Sequence, residues 1–385
     1  MHSAAKLVCI GAVTLLTGCS TLSSLNPFAT KVVPRNPPSA LVDFNTTLAV
    51  RTAWSSQIGP AGSFVFSPAV VAGTVLVASK DGAVSRLDAG NGSVLWRINA
   101  GTPLTAGVGS DGNTVVVVGE KGSVMAFDID GKLRWKAQAS STVLSAPAVG
   151  QGLVIVRSVD NQIVAFDAES GVRRWFLQRT SPSLILRSAP GIVFGVGNVF
   201  VGLPGGRLLA LAANNGGPRW EATVGDPRGA TELERIADIS GDPVVVGVAV
   251  CAVAYQGRVG CFDANTGAPR WSKELSSEVG ISADERFIFA ADENGTVNAL
   301  TRDAGASVWR NNKLAYRRLS TPVSFGRAVA VGDAQGYLHF MSREDGALLA
   351  RVATDGSPVI GNPKVVGANV IFQTQSGTVV ALAIE

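Results

Sequence analysis

The sequence has few of the residues on which most catalytic and metal sites depend. Among its 385 residues there are only 2 histidines and 4 cysteines. His2 lies in the first 18 residues, which are expected to be removed, so His339 is the single histidine of the mature chain. One histidine excludes histidine-based metal sites and a histidine-dependent catalytic triad. Since His339 stands at a strand position in GYLHFMS, we expect a structural role for it.

Charge and long hydrophobic runs are also scarce. Charged residues make up 16% of the chain, with a net charge of +4. No stretch concentrates lysine and arginine, so the sequence gives no support to nucleic-acid binding. The apolar runs at 7–16 and 244–255 are both shorter than the roughly 20 residues that a membrane-spanning helix needs.

Glycine and apolar residues, in contrast, are abundant. The chain has 44 glycines and 18 prolines, and 46% of its residues are hydrophobic. This composition is too apolar for a disordered chain and rich enough in turn residues for an all-β fold. Because a single core stops growing at about 250–300 residues, the length predicts several domains or a modular array.

Residues 1–18 are typical of a lipoprotein signal peptide. Lys6 supplies a positive charge, and the apolar run at 7–16 has the length of a secretory signal core. The run ends in LTGC at 16–19, which resembles the lipobox of bacterial lipoproteins. That resemblance implies cleavage before Cys19 and its acylation, and several acyl chains anchor a protein stably. The alternative is a chance cysteine beside an ordinary cleavage site.

The residues after Cys19 bear on location. Ser20 stands where an aspartate retains many Gram-negative lipoproteins in the inner membrane, so it favours the outer membrane. Residues 19–43 are rich in serine, threonine and proline, which predicts a lipidated cysteine followed by a flexible tether. We therefore expect a protein that is lipid-anchored to the outer membrane and faces the periplasm, with its folded domain at 44–385.

One hairpin motif recurs throughout the folded domain. All 7 tryptophans share a register, with a spacing of about 40–45 residues, and six of them follow a glycine by four positions. An eighth unit has Gly346 but carries Ala350 in place of tryptophan. This period is typical of β-propeller blades, in which each large ring packs between neighbouring blades. The tryptophans are Trp54, Trp96, Trp135, Trp175, Trp220, Trp271 and Trp309.

The two ends of the repeat complement each other. Trp54 has the downstream half of the motif, but Val50 replaces its glycine; the last unit ends after GTVVALAIE, without a turn or an outer strand. The simplest closure makes residues 48–55 the outermost strand of the final blade. The sequence thus predicts an all-β fold, an eight-bladed β-propeller of four-stranded antiparallel blades closed by the N-terminal strand.

Two cysteines stay in the folded domain, since Cys9 leaves with the signal and Cys19 is assigned to the lipid. Cys251 and Cys261 both lie in apolar strands. They are either two small core residues or a disulfide across neighbouring strands, which an oxidising compartment would permit. The sequence favours the first alternative, because cross-strand disulfides are usually strained.

The units resemble the PQQ-type repeat, most clearly in CFDANTGAPRW at 261–271, and no tryptophan is followed by the aspartate of WD repeats. The PQQ-type family includes quinoprotein dehydrogenases, so a quinone-dependent periplasmic dehydrogenase is one alternative. Against it, the chain lacks the adjacent cysteines of the alcohol dehydrogenases. The repeated aspartates precede turns, where we expect them to shape hairpins; they are Asp88, Asp128, Asp167 and Asp263. We expect no catalytic residue, cofactor or metal.

Two neighbouring connections between blades are longer than the others, and function is expected where repeats differ. Equivalent connections emerge on one face of a propeller, so these two should lie side by side. The first, at 178–188, presents leucines beside an arginine, a combination typical of interface hot spots. The second includes an expected short helix at 231–237, capped by Thr231. The alternative is that the leucines pack under the loop and the charges are merely solvated.

The lipobox, the tether, the eight PQQ-like units and the two long connections together resemble the BamB family, outer-membrane lipoproteins of the β-barrel assembly machinery. The stretches TSPSLILRSAP, TELERIADISGDPVV and GDAQGYLHF also resemble that family. The resemblance implies a non-catalytic scaffold that binds a periplasmic POTRA domain of the central barrel subunit and assists the folding and insertion of outer-membrane proteins. The residues expected to bind the partner are Leu184, Leu186, Arg187, Arg235 and Asp238.

The chain departs from the family pattern at one place. A second acid often follows two positions after the aspartate, but here that position is Ser240, and Asp242 is the candidate substitute. Unfolded client segments are a further expected partner, through pairing with free strand edges. A glycan-binding periplasmic propeller is the remaining alternative, for which only Phe176 and Tyr316 are loosely placed.

Overall fold

Short apolar strands alternate with tight turns through the whole repeat region. The computed structural model describes residues 36–186 and 190–385, and one compact unit spans Pro38–Glu385. Its strands form eight four-stranded sheets. The innermost strands of successive sheets contact one another around the ring, and the eighth returns to the first. The predicted eight-bladed propeller is confirmed.

Each blade is a simple antiparallel meander, and we number the blades from the first complete one. Blades 1 to 4 consist of β2 Ala69–Val71, β3 Thr74–Ala78, β4 Ala83–Asp88 and β5 Val94–Asn99; β6 Gly109–Ser110, β7 Thr114–Val118, β8 Ser123–Asp128 and β9 Leu133–Gln138; β10 Ala148–Gly150, β11 Leu153–Arg157, β12 Gln162–Asp167 and β13 Arg173–Gln178; and β14 Ile192–Phe194, β15 Asn198–Leu203, β16 Arg207–Ala212 and β17 Pro218–Thr223.

The second half of the ring repeats this arrangement. Blades 5 to 8 consist of β18 Ile239–Val246, β19 Ala249–Ala254, β20 Arg258–Asp263 and β21 Pro269–Glu274; β22 Ile281–Ala283, β23 Phe287–Ala291, β24 Val297–Thr301 and β25 Ser307–Asn311; β26 Val323–Phe325, β27 Ala328–Gly332, β28 Tyr337–Ser342 and β29 Leu348–Ala353; and β30 Lys364–Val366, β31 Asn369–Gln373, β32 Thr378–Ile384 and β1 Val50–Gln57.

Burial explains which residues occupy each strand. The second strands, such as β3 and β7, are buried along their whole length because neighbouring blades cover both of their faces. They are accordingly continuous apolar runs rather than alternating ones. The outer strands alternate between exposed and covered residues, as in β13. Among the described residues, no helix is long and apolar enough to cross a membrane.

The tryptophans link each blade to the next. Every indole Nε1 donates a hydrogen bond to a backbone carbonyl in the turn between the third and fourth strands of the following blade, at 2.8–3.1 Å. The acceptors, in the order of the tryptophans, are the carbonyls of Ala89, Ile129, Ala168, Ala213, Ala264, Arg302 and Arg343. The predicted packing of tryptophan between blades is confirmed, and it is directional.

The glycine of the motif has a physical reason. Gly92 has a φ of +72°, and a Cβ atom there would lie 2.5 Å from the ring of Trp54. The turn therefore needs glycine both for its left-handed backbone and for the close approach of the indole. The glycine of one unit thus accommodates the tryptophan of the preceding unit, which explains why the two residues recur together.

The ring closes through its N-terminal strand, as predicted. Strand β1 pairs antiparallel with β32, from Val50 opposite Ile384 to Gln57 opposite Thr378. Blade 8 therefore has a chain break where other blades have the turn that receives an indole. This explains Ala350: no such turn faces it, and the fully buried Leu48 packs in the same cluster instead.

Residues 39–48, which we term the strap, lie along the outside of blade 7. Ser39 donates its N–H to the carbonyl of Ala315, and the N–H groups of Thr47 and Leu48 contact the carbonyl of Leu349. Arg351 donates to the carbonyl of Val42. The described end of the segment predicted as a tether is thus hydrogen-bonded to the propeller from Ser39 onward. The predicted signal at 1–18 and residues 19–35 lie outside the described residues.

Cys251 and Cys261 are directly opposite each other on β19 and β20 and form a disulfide. Both are about 1% exposed and lie in the core between blades 5 and 6. The sequence had favoured two unbonded core residues. The structure shows that they are core residues and bonded to each other, because the hairpin places them in the same register.

His339 has the structural position expected from the sequence. It is completely buried in blade 7, where its Nε2 lies 2.8 Å from the carboxylate of Asp333. The same carboxylate accepts a hydrogen bond from Arg317 Nε at 2.7 Å. Arg317 also donates to the carbonyl of Ser39, so this buried cluster is tied to the strap.

Candidate functional site

The two long connections lie side by side on one face of the ring, as predicted. Loop A, residues 179–191, joins β13 to β14; loop B, residues 224–238, joins β17 to β18. Ser183 of loop A donates to the carboxylate of Glu232 in loop B. At the other end of the contact, the N–H of Leu186 donates to Asp238 at 2.6 Å. We term the face that carries all connections between blades the loop face.

Loop A is fixed at its root and exposed at its tip. The N–H of Arg179 donates to the carbonyl of Asn161, and the guanidinium of Arg179 pairs with Glu221 of β17. Leu184 is 43% exposed, whereas Leu186 is half-buried. Arg187, the third residue predicted for this loop, lies outside the described residues.

Loop B contains the predicted cap but not the predicted helix. Thr231 Oγ1 accepts the N–H of Glu234, and the carboxylate of Glu234 accepts the N–H groups of Thr231 and Ala230, which is a capping box. These hydrogen bonds to an ionised carboxylate lower the pKa of Glu234. The segment nevertheless forms a single turn. It cannot continue because the carbonyl of Asp238 pairs with the N–H of Tyr255 in blade 5.

Loop B adds an exposed hydrophobic residue that the sequence reasoning missed. Leu233 is 69% exposed, more than Leu184. It was not singled out because it stands in a segment predicted as helical, where one leucine is unremarkable. Arg235 is also exposed and has no ion pair with any residue in the described part of the chain. Loop B thus offers a leucine and an arginine side chain to solvent, and loop A offers Leu184.

Asp238 has a different position from the other predicted residues. It is only 3% exposed, and its carboxylate accepts the N–H groups of Leu186 and Gly205, at 2.6 and 2.9 Å. Burial raises the pKa of Asp238, and the two hydrogen bonds and the charge of Arg157 oppose this rise without cancelling it. Its carboxylate therefore connects Leu186 of loop A to Gly205, in the turn between β15 and β16 of blade 4. That it contributes to partner binding stays a prediction.

Arg157 is the charged residue nearest to this arrangement in the core. It ends β11, is 9% exposed, and lies with Asp238, Ile185 and Leu186 around a cavity of about 120 Å³ beneath loop A. Burial lowers the pKa of Arg157 to about 10, so it keeps its charge near neutral pH, and the carboxylate of Asp238 favours that charge. Its Nε has no acceptor among the described residues.

The sequence did contain a signal for Arg157. At the corresponding position, immediately before the second hairpin turn, most blades carry a small or aliphatic residue, such as Ala78, Val118, Ala291 and Gly332. Only an alignment of the repeats against one another, rather than a search for known motifs, reveals arginine as the exception.

Asp242, the candidate substitute for the acid missing at position 240, lies in the central channel rather than beneath loop A. Ser240 is buried and donates to the carbonyl of Asp238. Asp242 lines the central channel, where its carboxylate accepts a hydrogen bond from Asn362 of blade 8 at 3.1 Å. Asp242 is therefore used within the channel. Whether it also replaces the acid in partner binding stays a prediction.

The central channel has a volume of about 940 Å³. Its wall is formed by residues from around the ring, including Arg318 and Leu319 of the connection before blade 7, and Leu186 reaches it from loop A. Its charged lining residues include Asp242, Glu278, Glu293 and Lys364. In the described part of the chain, no three acidic, histidine or cysteine side chains lie close enough together to hold a metal ion.

The repeated aspartates form turns, as predicted. Asp88 accepts the N–H groups of Gly90 and Asn91. Asp128, Asp167 and Asp263 accept equivalent N–H groups in their own turns. Hydrogen bonds from Ser170 lower the pKa of Asp167, and those around Asp263, led by Arg270, lower the pKa of Asp263. The hydrogen bonds in these two turns thus favour the ionised carboxylates of Asp167 and Asp263.

Comparisons with known proteins agree with this architecture. The sequence profile of the family described as "Outer membrane protein assembly factor BamB" matches residues 80–311 and 293–385. A protein of that description from Bordetella pertussis is 43% identical over 366 residues, which cover 95% of this chain and 93% of the relative. The Escherichia coli protein of the same description is 32% identical over 387 residues, 96% of both chains.

Comparison with solved structures distinguishes proteins of the same family from proteins that share only the propeller fold. The crystal structure of BamB from Moraxella catarrhalis has a TM-score of 0.80 and 29% identity, and covers 87% of this chain and 100% of that chain. The quinohemoprotein alcohol dehydrogenase from Comamonas testosteroni has a TM-score of 0.68 but only 15% identity, with 87% and 76% covered. The dehydrogenase likeness therefore extends to the propeller fold alone. This chain belongs to the BamB family of outer membrane protein assembly factors, and not to the quinoprotein enzymes.

Proposed function

We propose that this protein is a non-catalytic scaffold of the assembly complex, and that loops A and B bind the periplasmic POTRA region of the central barrel subunit. Leu184, Leu186, Arg187 and Arg235 would make the contact. Asp238 would act from below by holding Leu186 in place. By fixing the periplasmic arm of that subunit, the scaffold would assist the folding and insertion of outer-membrane proteins.

The contact between the two loops is the observation that carries the proposal. Ser183 and Glu232 join their tips, and Asp238 joins their bases. The joined loops present Leu184 and Leu233 to solvent, 43% and 69% exposed. Two exposed leucines and the exposed Arg235 match the apolar centre and polar rim that protein interfaces favour.

Substitution at the loop tip tests this surface. We expect Leu184→Glu and Arg187→Glu each to weaken co-purification of the central barrel subunit with the intact lipoprotein by about tenfold or more, the range of interface hot spots. Val196→Glu is the matched control, because Val196 is fully exposed on the opposite face of blade 4, in the hairpin between β14 and β15. Wild-type recovery with both loop variants would refute the proposed surface.

The lipid anchor is a second part of the proposal. Acylation at Cys19 would hold the propeller at the outer membrane, with its folded domain in the periplasm. We expect Cys19→Ala to move the protein from the outer-membrane fraction to the soluble periplasmic fraction. Cys9→Ala, a cysteine within the proposed signal, serves as the control and should leave the distribution unchanged. Membrane association of the Cys19→Ala variant would contradict the anchor.

Unfolded clients would meet the rim of the ring. The outer strands have unpaired backbone groups at their free edges, to which an extended segment can add by hydrogen bonding. The edge of β29 is partly occupied by the strap through Thr47 and Leu48. Photo-crosslinking from the exposed Phe176 on β13 would detect a client there. Crosslinks to the central subunit alone would leave the rim without a client role.

A further inference from the structure

A buried positive charge under a partner-binding loop needs a reason. Arg157 is one of two arginines that are less than 10% exposed in the described part of the chain, the other being Arg317. Burying a guanidinium is costly unless an opposite charge or hydrogen bonds compensate. Among the described residues, Arg157 donates a single long hydrogen bond, of 3.5 Å, to Asn161 Oδ1. The packing of β11 alone does not demand arginine, since Ala78 and Val118 fill the corresponding positions of blades 1 and 2.

Asp238 is the acidic residue that lines the same small cavity as Arg157, although no ion pair within 4.0 Å joins them in the described part of the chain. Arg157 comes from blade 3 and Asp238 from the base of loop B, and both line the small cavity beneath Leu186. Asn161, which Arg157 contacts, donates from its side chain to the carbonyl of Thr180 in loop A. Arg157 is therefore linked by hydrogen bonds to the root of loop A through Asn161, and it shares the small cavity with Asp238, which binds Leu186.

We propose that Arg157 is a positioning residue for the partner-binding surface: its buried charge holds the carboxylate of Asp238 beneath Leu186, and so fixes loop A in the form that meets the partner. The inference rests on the proposed function, because it assigns to that same surface the residue that orders it. Arg157 itself does not contact the partner. Its influence passes through the hydrogen bond from the N–H of Leu186 to Asp238.

Amide hydrogen exchange on the intact chain tests this without any partner. We choose Arg157→Gln because blade 8 carries Gln373 at the corresponding position, where it is buried and donates to the carbonyl of Ala78. We expect exchange of the Leu186 amide to accelerate about tenfold, while the amides of β11 and β12 stay protected. Arg157→Lys, which keeps the charge, should restore most of the protection. Unchanged exchange at Leu186 in the folded Arg157→Gln variant would overturn the proposal.

Co-purification with the central barrel subunit then separates this inference from the proposed function. We expect Arg157→Gln to weaken recovery about tenfold, and Arg157→Lys to recover it. In an Asp238→Asn background, Arg157→Gln should have no further effect, since it acts through that carboxylate. An undiminished effect there would overturn the inference.

Arg317→Gln is the matched control, because it removes the other buried arginine from a site in blade 7. It should lower stability without changing Leu186 exchange or partner recovery. If Leu186 exchange changes as expected but no loop substitution alters partner recovery, the positioning role stands and the proposed function fails. If loop substitutions weaken recovery but Arg157→Gln changes neither readout, the proposed function stands and the positioning role fails.

Discussion

Arg317 with Asp333 in blade 7, and Arg157 with Asp238 beneath loop A, share residue types and burial but differ in hydrogen bonding. The carboxylate of Asp333 accepts four hydrogen bonds, from Arg317, His339 and the N–H groups of Gln335 and Tyr337. The carboxylate of Asp238 accepts two from the residues that the structure describes, both from backbone N–H groups.

The pKa values of the two acids shift in opposite directions as a result. Burial raises the pKa of Asp333, but the hydrogen bonds from His339, Tyr337 and Arg317 outweigh it, so the net shift is downward. For Asp238, burial is not outweighed and the pKa is raised. In a structural site, hydrogen bonds and charges fully offset the cost of burying a carboxylate. A carboxylate whose burial is not fully offset, and whose pKa is therefore raised, is typical of functional sites. Similar residues can thus serve the fold in one region and binding in another.

The largest expected effect comes from breaking the compensated site. Asp333→Asn leaves a single acceptor oxygen at a position where two carboxylate oxygens accept four hydrogen bonds, and it leaves a buried guanidinium without its counter-charge. We expect the free energy of unfolding to fall by about 3–5 kcal/mol, measured by equilibrium urea denaturation. Recovery of the central subunit by the folded protein should be unchanged. A loss of partner binding larger than the loss of stability would show that the two regions are not separate.

The corresponding change beneath loop A should be smaller in stability and larger in binding. Asp238→Asn removes a carboxylate whose ionised form is already disfavoured by burial and leaves one acceptor oxygen for the N–H groups of Leu186 and Gly205, so the loss is mainly that of one hydrogen bond, about 1–2 kcal/mol. Partner recovery should nevertheless fall, since the attachment of Leu186 is weakened. A stability loss as large as that of Asp333→Asn would remove the distinction drawn between the two sites.

The strap offers a finer test of the blade 7 site. A chain that begins after Ser39 loses the carbonyl that Arg317 contacts and the hydrogen bonds of Ser39 to Ala315 and Lys313. Because these contacts lie near solvent, we expect a loss of about 1 kcal/mol in unfolding free energy. A chain that begins at residue 36 is the control. Equal stability of the two would show that the strap does not support the buried cluster.

The smallest expected effect is a difference in the direction in which pH changes the free energy of unfolding at the two sites. The pKa of Asp333 lies below the ordinary value of 3.8, so its stabilising contribution is present above that pH and is lost as the pH falls through the lower, folded-state value. The pKa of Asp238 lies above 3.8, so protonation favours the folded state, and stability gains as the pH falls from above the raised value toward 3.8.

Unfolding free energies measured from about pH 7 down to about pH 3 test this. Wild type should lose its advantage over Asp333→Asn on acidification, and should improve relative to Asp238→Asn. The same sign for both would contradict the assignment of the two sites.

The sequence allowed the fold to be predicted because its determinants are local and repeated. Gly92 with Trp96 marks one turn and one outer strand, and the incomplete units around Trp54 and after Gly377 show where the ring closes. The loop contact was predictable from connection lengths. In contrast, the link between Arg157 and Asp238 joins two blades that are distant in sequence, and no local pattern encodes it. The strap also carries no repeat, so its contact with blade 7 depends on tertiary packing alone.

The pairing of β1 with β32 has a consequence for how the chain reaches its final state. These two strands come from opposite ends of the folded domain, and their pairing brings residue 50 against residue 384. Contacts that span so much of the chain form slowly. The six junctions between blades 1 and 7 can assemble one after another as the chain emerges, but both junctions of blade 8 must wait for strands β30 to β32, which come last. Until blade 8 has formed, the open ring exposes the apolar faces of blades 1 and 7. In this state a chaperone or another unfolded chain can bind to them.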